Sequence, residues 1–329
     1  MKQMNSDKLT SVEFGALWTT YHKKTMILRI LEHLIQHAED HKAKTLMSGL
    51  YEKLEKKVIE MEEIMERAGA AKPVGFTKED FHENAPALFT NGFDIMFCRI
   101  LKEISMGMYV LHTTISYRAE IINFYRELTE ITHLYYHHFT DYLLKDGFSK
   151  LPTTVKLPDS IDFITDTSYM KGTNLLGQKR QLNTVEYGLL YHSVETNLFG
   201  MQLMKAFAQC SKDKEAKQYF TKGQQISEEI LQGTEKILLE NNIPSPTMPG
   251  GVLTSSVDAP FSERLMLYCT YLLGGFSIGG QGFSSAFTLR NDIIAKSAIF
   301  AKDAFEYTLE GAKLMMEKGW MEEPPKMDI

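Results

Sequence analysis

Glu130-Ile131-Thr132-His133, followed one turn later by His137, is the sharpest chemical pattern in the chain. Glu-x-x-His sets a carboxylate and an imidazole on one side of a helix. Two such pairs, with one more Glu from each of two other helices, hold two metal ions: four carboxylates balance the charge and the imidazoles complete the shell. Glu62, in a neighbouring segment dense in Lys and Glu, is the candidate for an additional carboxylate. Such a centre would carry iron or manganese and serve as an oxidase or a metal store. The pattern has counter-indications. The other Glu-x-x-His, Glu79 to His82, falls in a connection between helices. At 100° per residue, Phe124, Leu128, Ile131, Tyr135 and Tyr142 form the apolar face, and Glu130, His133 and His137 lie well off it.

Other reactive groups are less organised. Asp303 and Glu310 lie near a stripe of Phe300, Tyr307 and Leu314, where a partly buried carboxylate needs a cation or a donor; a Lys or Arg from a neighbouring helix is the expected partner. His22, His33, His37, His41, His112, His137 and His138 crowd the first half, whereas the second half has only His192. They are expected at the surface or as hydrogen-bonded core residues. Cys98, Cys210 and Cys269 are isolated and read as reduced core thiols. Gly274-Gly275 with Gly279-Gly280 and Gly282 has neither the preceding strand of a dinucleotide loop nor the Lys-Ser/Thr of a phosphate loop, and is expected to permit close helix packing, within a bundle or against a partner.

The residues that recur are a filter on all of this. Leu9-Thr10-Ser11-Val12-Glu13-Phe14-Gly15 returns 173 positions later as Leu182-Asn183-Thr184-Val185-Glu186-Tyr187-Gly188, and Arg118-Ala119-Glu120-Ile121 returns after 172 as Arg290-Asn291-Asp292-Ile293. The chain is an internal duplication. Lys302 and Phe305 stand where Glu130 and His133 stood, so a metal centre would belong to one copy alone. Glu13 and Glu186 each follow a short polar residue by three positions, the spacing of a helix capping box. Arg118 with Glu120, and Arg290 with Asp292, read as ion pairs, with an anion-binding Arg as the functional alternative.

The elements that must position these groups are helical throughout. Phe14, Leu17, Tyr21, Leu28, Leu31 and Ile35 recur at helical spacing, as do Leu46, Leu50, Leu54, Val58, Met61 and Met65. Gly69 and Pro73 stop the second helix, as Asn242, Pro244 and Pro246 do in the other copy. A connection of a dozen or more residues follows. Third helices are expected from near Pro86 and Pro260, and fourth helices over about 121–145 and 293–318. Val252 to Thr254 and Leu157 to Ile164 are expected as no more than briefly extended chain. Four helices with one long crossover give an all-α chain of two tandem ferritin-like four-helix bundles: residues 9–152, a linker over 153–181, and residues 182–325.

Composition agrees: 329 residues, 43% apolar and 24% charged, suit two domains, each with a core of its own. A net charge of -6 without a basic, aromatic-laced stripe argues against nucleic acid as a partner. Met1 to Lys8 lacks the apolar core of a signal peptide, which predicts a cytoplasmic protein. The charge-free stretch Leu265 to Leu289 is too rich in Gly and Ser to be a membrane span.

Arg180-Gln181-Leu182-Asn183 with Glu186, Pro260-Phe261-Ser262-Glu263-Arg264-Leu265-Met266, Arg290-Asn291-Asp292, and the closing Glu317-Lys318-Gly319-Trp320-Met321-Glu322-Glu323-Pro324-Pro325 resemble domain-of-unknown-function family 3231 of spore-forming firmicutes. The first copy departs from that ending, with Gly147-Phe148-Ser149-Lys150-Leu151-Pro152. The resemblance implies tandem ferritin-like domains similar to spore coat protein F, with incorporation into or association with the spore, and it supplies no catalytic residues. The resulting expectation is a non-enzymatic structural or interaction protein without a cofactor, which self-associates or binds another protein. The alternative is the metal protein above, and a third reading is a small ligand held between the bundles.

Overall fold

The computed structural model describes residues 8–90, 92–171, 180–246 and 253–327. Most of the N-terminal segment, part of the linker, and Val252 lie outside them. Eight long helices appear among the described residues: α1 Ser11–His37, α2 His41–Arg67, α3 Phe93–Thr114, α4 Ala119–Lys145, α5 Thr184–Cys210, α6 Lys214–Glu240, α7 Glu263–Phe287 and α8 Asn291–Glu317. The chain is all-α, two four-helix units in tandem. No described helix is long and apolar enough to cross a membrane.

Local chemistry sets the ends. Thr10 and Asn183 form complete capping boxes with Glu13 and Glu186, while Asp40, Asp213 and Ser262 cap α2, α6 and α7 through their side chains. Gly69 and Asn242 take left-handed φ values of 71° and 57° after α2 and α6, and Gly147 and Gly319 do so after α4 and α8.

α4 and α8 lack a side-chain cap of their own. The duplicated glutamates fill the gap. Glu13 Oε1 accepts the backbone N–H groups of Tyr117 and Arg118 at 2.9 and 2.8 Å, and Glu186 Oε1 those of Leu289 and Arg290 at 3.2 and 3.1 Å. Each carboxylate therefore closes the start of its own helix and of the last helix in its unit.

The third helices begin later than Pro86 and Pro260 suggest, after Gly92 and Ser262. Both prolines lie in crossovers that pair with one another instead. The His82 N–H donates to the Pro260 carbonyl at 2.9 Å and the Thr254 N–H to the Leu88 carbonyl at 3.1 Å. At the repeat spacing of 172, His82 corresponds to Thr254 and Leu88 to Pro260, so this is one hydrogen bond made twice across a pseudo-twofold axis. Isolated antiparallel bridges Phe81–Phe261 and Phe89–Leu253 obey the same exchange. Leu157 to Ile164 stays exposed and unpaired in secondary structure.

The joint continues into side chains. Asp80 accepts from Ser262 Oγ at 2.6 Å and faces Arg264 at 3.5 Å. Phe93 stacks on Phe199, and Arg99 meets Glu195 at 3.1 Å. Buried residues of both units form one contiguous core, with a smaller cluster around Leu190, Val194 and Ile293 at the far end of the second unit. Separate cores were the expectation; reciprocal crossover packing merges them.

Candidate functional site

α1 carries Lys23 and Lys24 into the centre of the first unit, where α3 contributes Lys102, Ser105 and Tyr109, and α4 contributes Thr132. All six are buried, none above 1% exposed. Lys23 Nζ lies 4.4 Å and Lys24 Nζ 4.9 Å from the centre of the Tyr109 ring. Lys23 Nζ reaches Met108 Sδ at 3.3 Å. Lys24 Nζ, Lys102 Nζ, Tyr109 Oη and Thr132 Oγ1 have no hydrogen-bond partner.

Burial, with Lys102 and each other nearby, holds the Lys23 and Lys24 amines well below the ordinary lysine range. Burial brings Lys102 down to about 8. Beside them, Thr20 Oγ1 links His112 Nδ1 and Tyr125 Oη, each at 3.1 Å, and burial followed by the Lys23 charge pushes His112 down to about 4. The centre is rich in donors and amines. It has nothing anionic to offer a cation.

The carboxylates and imidazoles singled out in the sequence lie elsewhere. Glu62 accepts from Tyr21 Oη at 2.7 Å and pairs with Lys72 at 2.9 Å. Glu130, 3.9 Å from Arg126, is exposed, as are His133 and His137 one and two turns along α4. Among the described residues, no group of three or more His, Cys, Asp or Glu side chains is arranged to hold a metal ion.

The duplicated residues are organised around helix ends. Glu13 and Glu186 are fully buried, and although burial opposes it, their hydrogen bonds hold both carboxyls below the usual range; for Glu186 the leading contribution is the Arg180 guanidinium. Arg118 pairs with Glu120 at 2.9 Å, while Arg290, fully buried, pairs with Asp292 at 2.7 Å and donates to the Arg180 carbonyl at 3.2 Å. Glu310, exposed, meets Lys222 of α6. Cys98, Cys210 and Cys269 are free, buried thiols. His22, His33 and His112 are buried.

The closing motif docks on the first unit. Glu322 contacts His22 Nε2 at 3.1 Å and Arg264 at 2.9 Å, and accepts the Val74 and Gly75 N–H groups at 2.8 Å each. Sequence reasoning missed this role of Glu322, because the backbone groups it accepts from, at Val74 and Gly75, are about 250 residues away. It also missed the lysines.

The second unit has no such amine cluster at its centre. It holds a partly open cavity of about 100 Å3, lined by all four of its helices, with Ile100 of α3 at one side. This cavity lies inside a unit, a different place from the space between the two. Of the glycines on α7, Gly274 packs closely, since a Cβ there would meet Thr308 Oγ1 at 2.2 Å, whereas Gly275, Gly279, Gly280 and Gly282 face open space.

Among solved structures, a protein named "putative spore coat protein" from Bacillus halodurans C-125 is similar at 17% identity and a TM-score of 0.43, over 46% of this chain and 98% of its own. No curated protein matches the chain. A family model described as "Protein of unknown function (DUF3231)" matches residues 2–158 and again residues 170–328. The chain belongs to that family, and carries its domain twice.

Proposed function

We propose that this chain is a non-enzymatic structural or interaction protein. The observation that carries the reading is the charge character at the centre of the first unit. Where a metal-bearing bundle needs inward carboxylates to balance the ions' charge, Lys23, Lys24 and Lys102 supply none and fill the space with their own stems. The reciprocal crossover joint supports a rigid body suited to assembly. Exposed Phe283 and Phe287, stacked 6.1 Å apart, with exposed Phe305 and Leu309, support self-association. The sequence resemblance supports association with the spore.

Elemental analysis and light scattering on the purified protein test this. The expected result is no stoichiometric metal and a species larger than the monomer. Stoichiometric iron or manganese, lost in His133→Ala with the fold retained, would establish instead the metal protein built on Glu62, Glu130, His133 and His137. Fractionation of sporulating cells checks location: recovery of the chain only in the soluble cytoplasmic fraction removes the spore from the proposal.

A further inference from the structure

We infer that the interior of the second unit is a binding site for one small uncharged molecule with an apolar body and a hydroxyl or N–H donor. The two copies differ at this place, position by position. At the spacing that superimposes the capping glutamates, Lys23 and Lys24 correspond to Thr196 and Asn197. At the spacing that relates Arg118 to Arg290, Lys102, Met108, Tyr109 and Thr132 correspond to Gly274, Gly280, Gln281 and Ala304. Burial repeats with them: Lys24 and Asn197, Tyr109 and Gln281, and Thr132 and Ala304 are buried in both units.

Every one of these exchanges replaces a larger side chain by a smaller one. All six second-copy residues line the cavity. The first copy thus fills its own centre, and the second leaves the same place open.

The walls define what fits. They carry no Lys, Arg, Asp or Glu, and the His192 imidazole at the side is taken by Glu103. A charged guest would lose its hydration without a counter-charge, so the guest is neutral. Asn197 is oriented by its own helix, its Nδ2 donating to the Ser193 carbonyl at 2.8 Å, and Gln281 Nε2 donates to Ser193 Oγ at 3.2 Å. One N–H of each amide is taken in this way, while the two amide carbonyl oxygens take no hydrogen bond and can accept from a donor on the guest. Phe199, Met204 and Leu273 supply apolar wall. A dry protein cavity of about 150 Å3 holds benzene; this one, at about 100 Å3, is smaller but not closed, so a single six-membered ring bearing one hydroxyl is the upper limit of what it takes.

Phenol, benzene and benzoate are the probes, titrated into the full-length protein and followed by NMR and by thermal shift. Phenol is expected to bind one per chain and to raise Tm, benzene to bind more weakly, and benzoate not to bind. Gly280→Met installs the first copy's residue at a position where a Cβ meets nothing within 4 Å, and should abolish phenol binding while circular dichroism stays unchanged. Asn197→Leu should weaken phenol at least tenfold and leave benzene within a factor of three. Ala304→Thr, which restores the counterpart of Thr132, is the second filling variant should Gly280→Met fail to fold. Absence of phenol binding to the wild type, or binding untouched by the filling variants, overturns the proposal. So does benzoate binding as tightly as phenol.

Discussion

Lys24 Nζ sits 4.9 Å from the centre of the Tyr109 ring, sealed from water and without a hydrogen-bond partner. With Lys23 and Lys102 it makes a centre in which burial penalises the ammonium form and draws all three amines below the ordinary lysine range.

Lys102→Met should therefore stabilise the protein, and by an amount that depends on pH. The folded-state pKa of about 8 is below the unfolded value near 10.4, so between them the unfolded chain binds more protons and the wild-type penalty falls as pH rises. The variant's advantage, roughly 3 kcal/mol at and below pH about 8, should vanish towards pH about 10. Urea midpoints of variant and wild type across that range check it; a pH-independent difference refutes it.

Buried histidines act at the acid end. Burial and His37 bring His33 to about 3, and burial and Lys23 bring His112 to about 4, both below the unfolded value near 6.5. Stability attached to each is complete above about 6.5 and is lost as pH falls towards its folded value, by about 3 kcal/mol for His112. His112→Gln should flatten the loss between pH 6.5 and 4, as read from denaturation midpoints.

Glu186 holds more than Glu13. Both cap two helix starts, but Glu186 also takes both Arg180 guanidinium nitrogens, one of them at 2.8 Å. Glu186→Gln should cost about 3 kcal/mol, as expected for a broken buried ion pair, against about 1–2 kcal/mol for Glu13→Gln, which loses capping bonds alone. Since the folded carboxyls are depressed, the difference is present above pH about 4.3 and shrinks below it. Thermal denaturation at pH 7 and pH 3.5 measures it.

The shared core predicts a single cooperative transition for both units. Calorimetric and van't Hoff enthalpies should agree. Asp80→Ala removes the acceptor of Ser262 Oγ and Thr77 N–H, and should separate the melting of the units or lower Tm by several degrees. Two resolved transitions in the wild type would contradict it.

Much of the architecture is legible in short-range pattern. Thr10 with Glu13 and Asn183 with Glu186 are local signals, and Gly69 and Asn242 end helices by backbone conformation alone. The helix starts at Pro86 and Pro260 failed because pairing between distant crossovers overrode a local preference. The lysine centre left one trace: Leu17, Tyr21, Leu28 and Leu31 form an apolar stripe, and Lys24 occupies the place in it between Tyr21 and Leu28. A lysine there reads as solvated, since burial of an amine depends on what α3 and α4 bring against it. Glu130 and His133 show the converse, a correct spacing set on an exposed face.

The crossover exchange has a meaning in terms of stoichiometry. A contact in which 82 meets 260 while 254 meets 88 is self-complementary, the form taken by the interface of a symmetric dimer. The two copies in this chain meet as the subunits of a symmetric dimer do, but within one polypeptide. The tether replaces a bimolecular encounter by an intramolecular one, so the paired state no longer depends on protein concentration. Freed from identity, each half is able to change without breaking symmetry in the other, which is how one centre can stay filled while its twin opens.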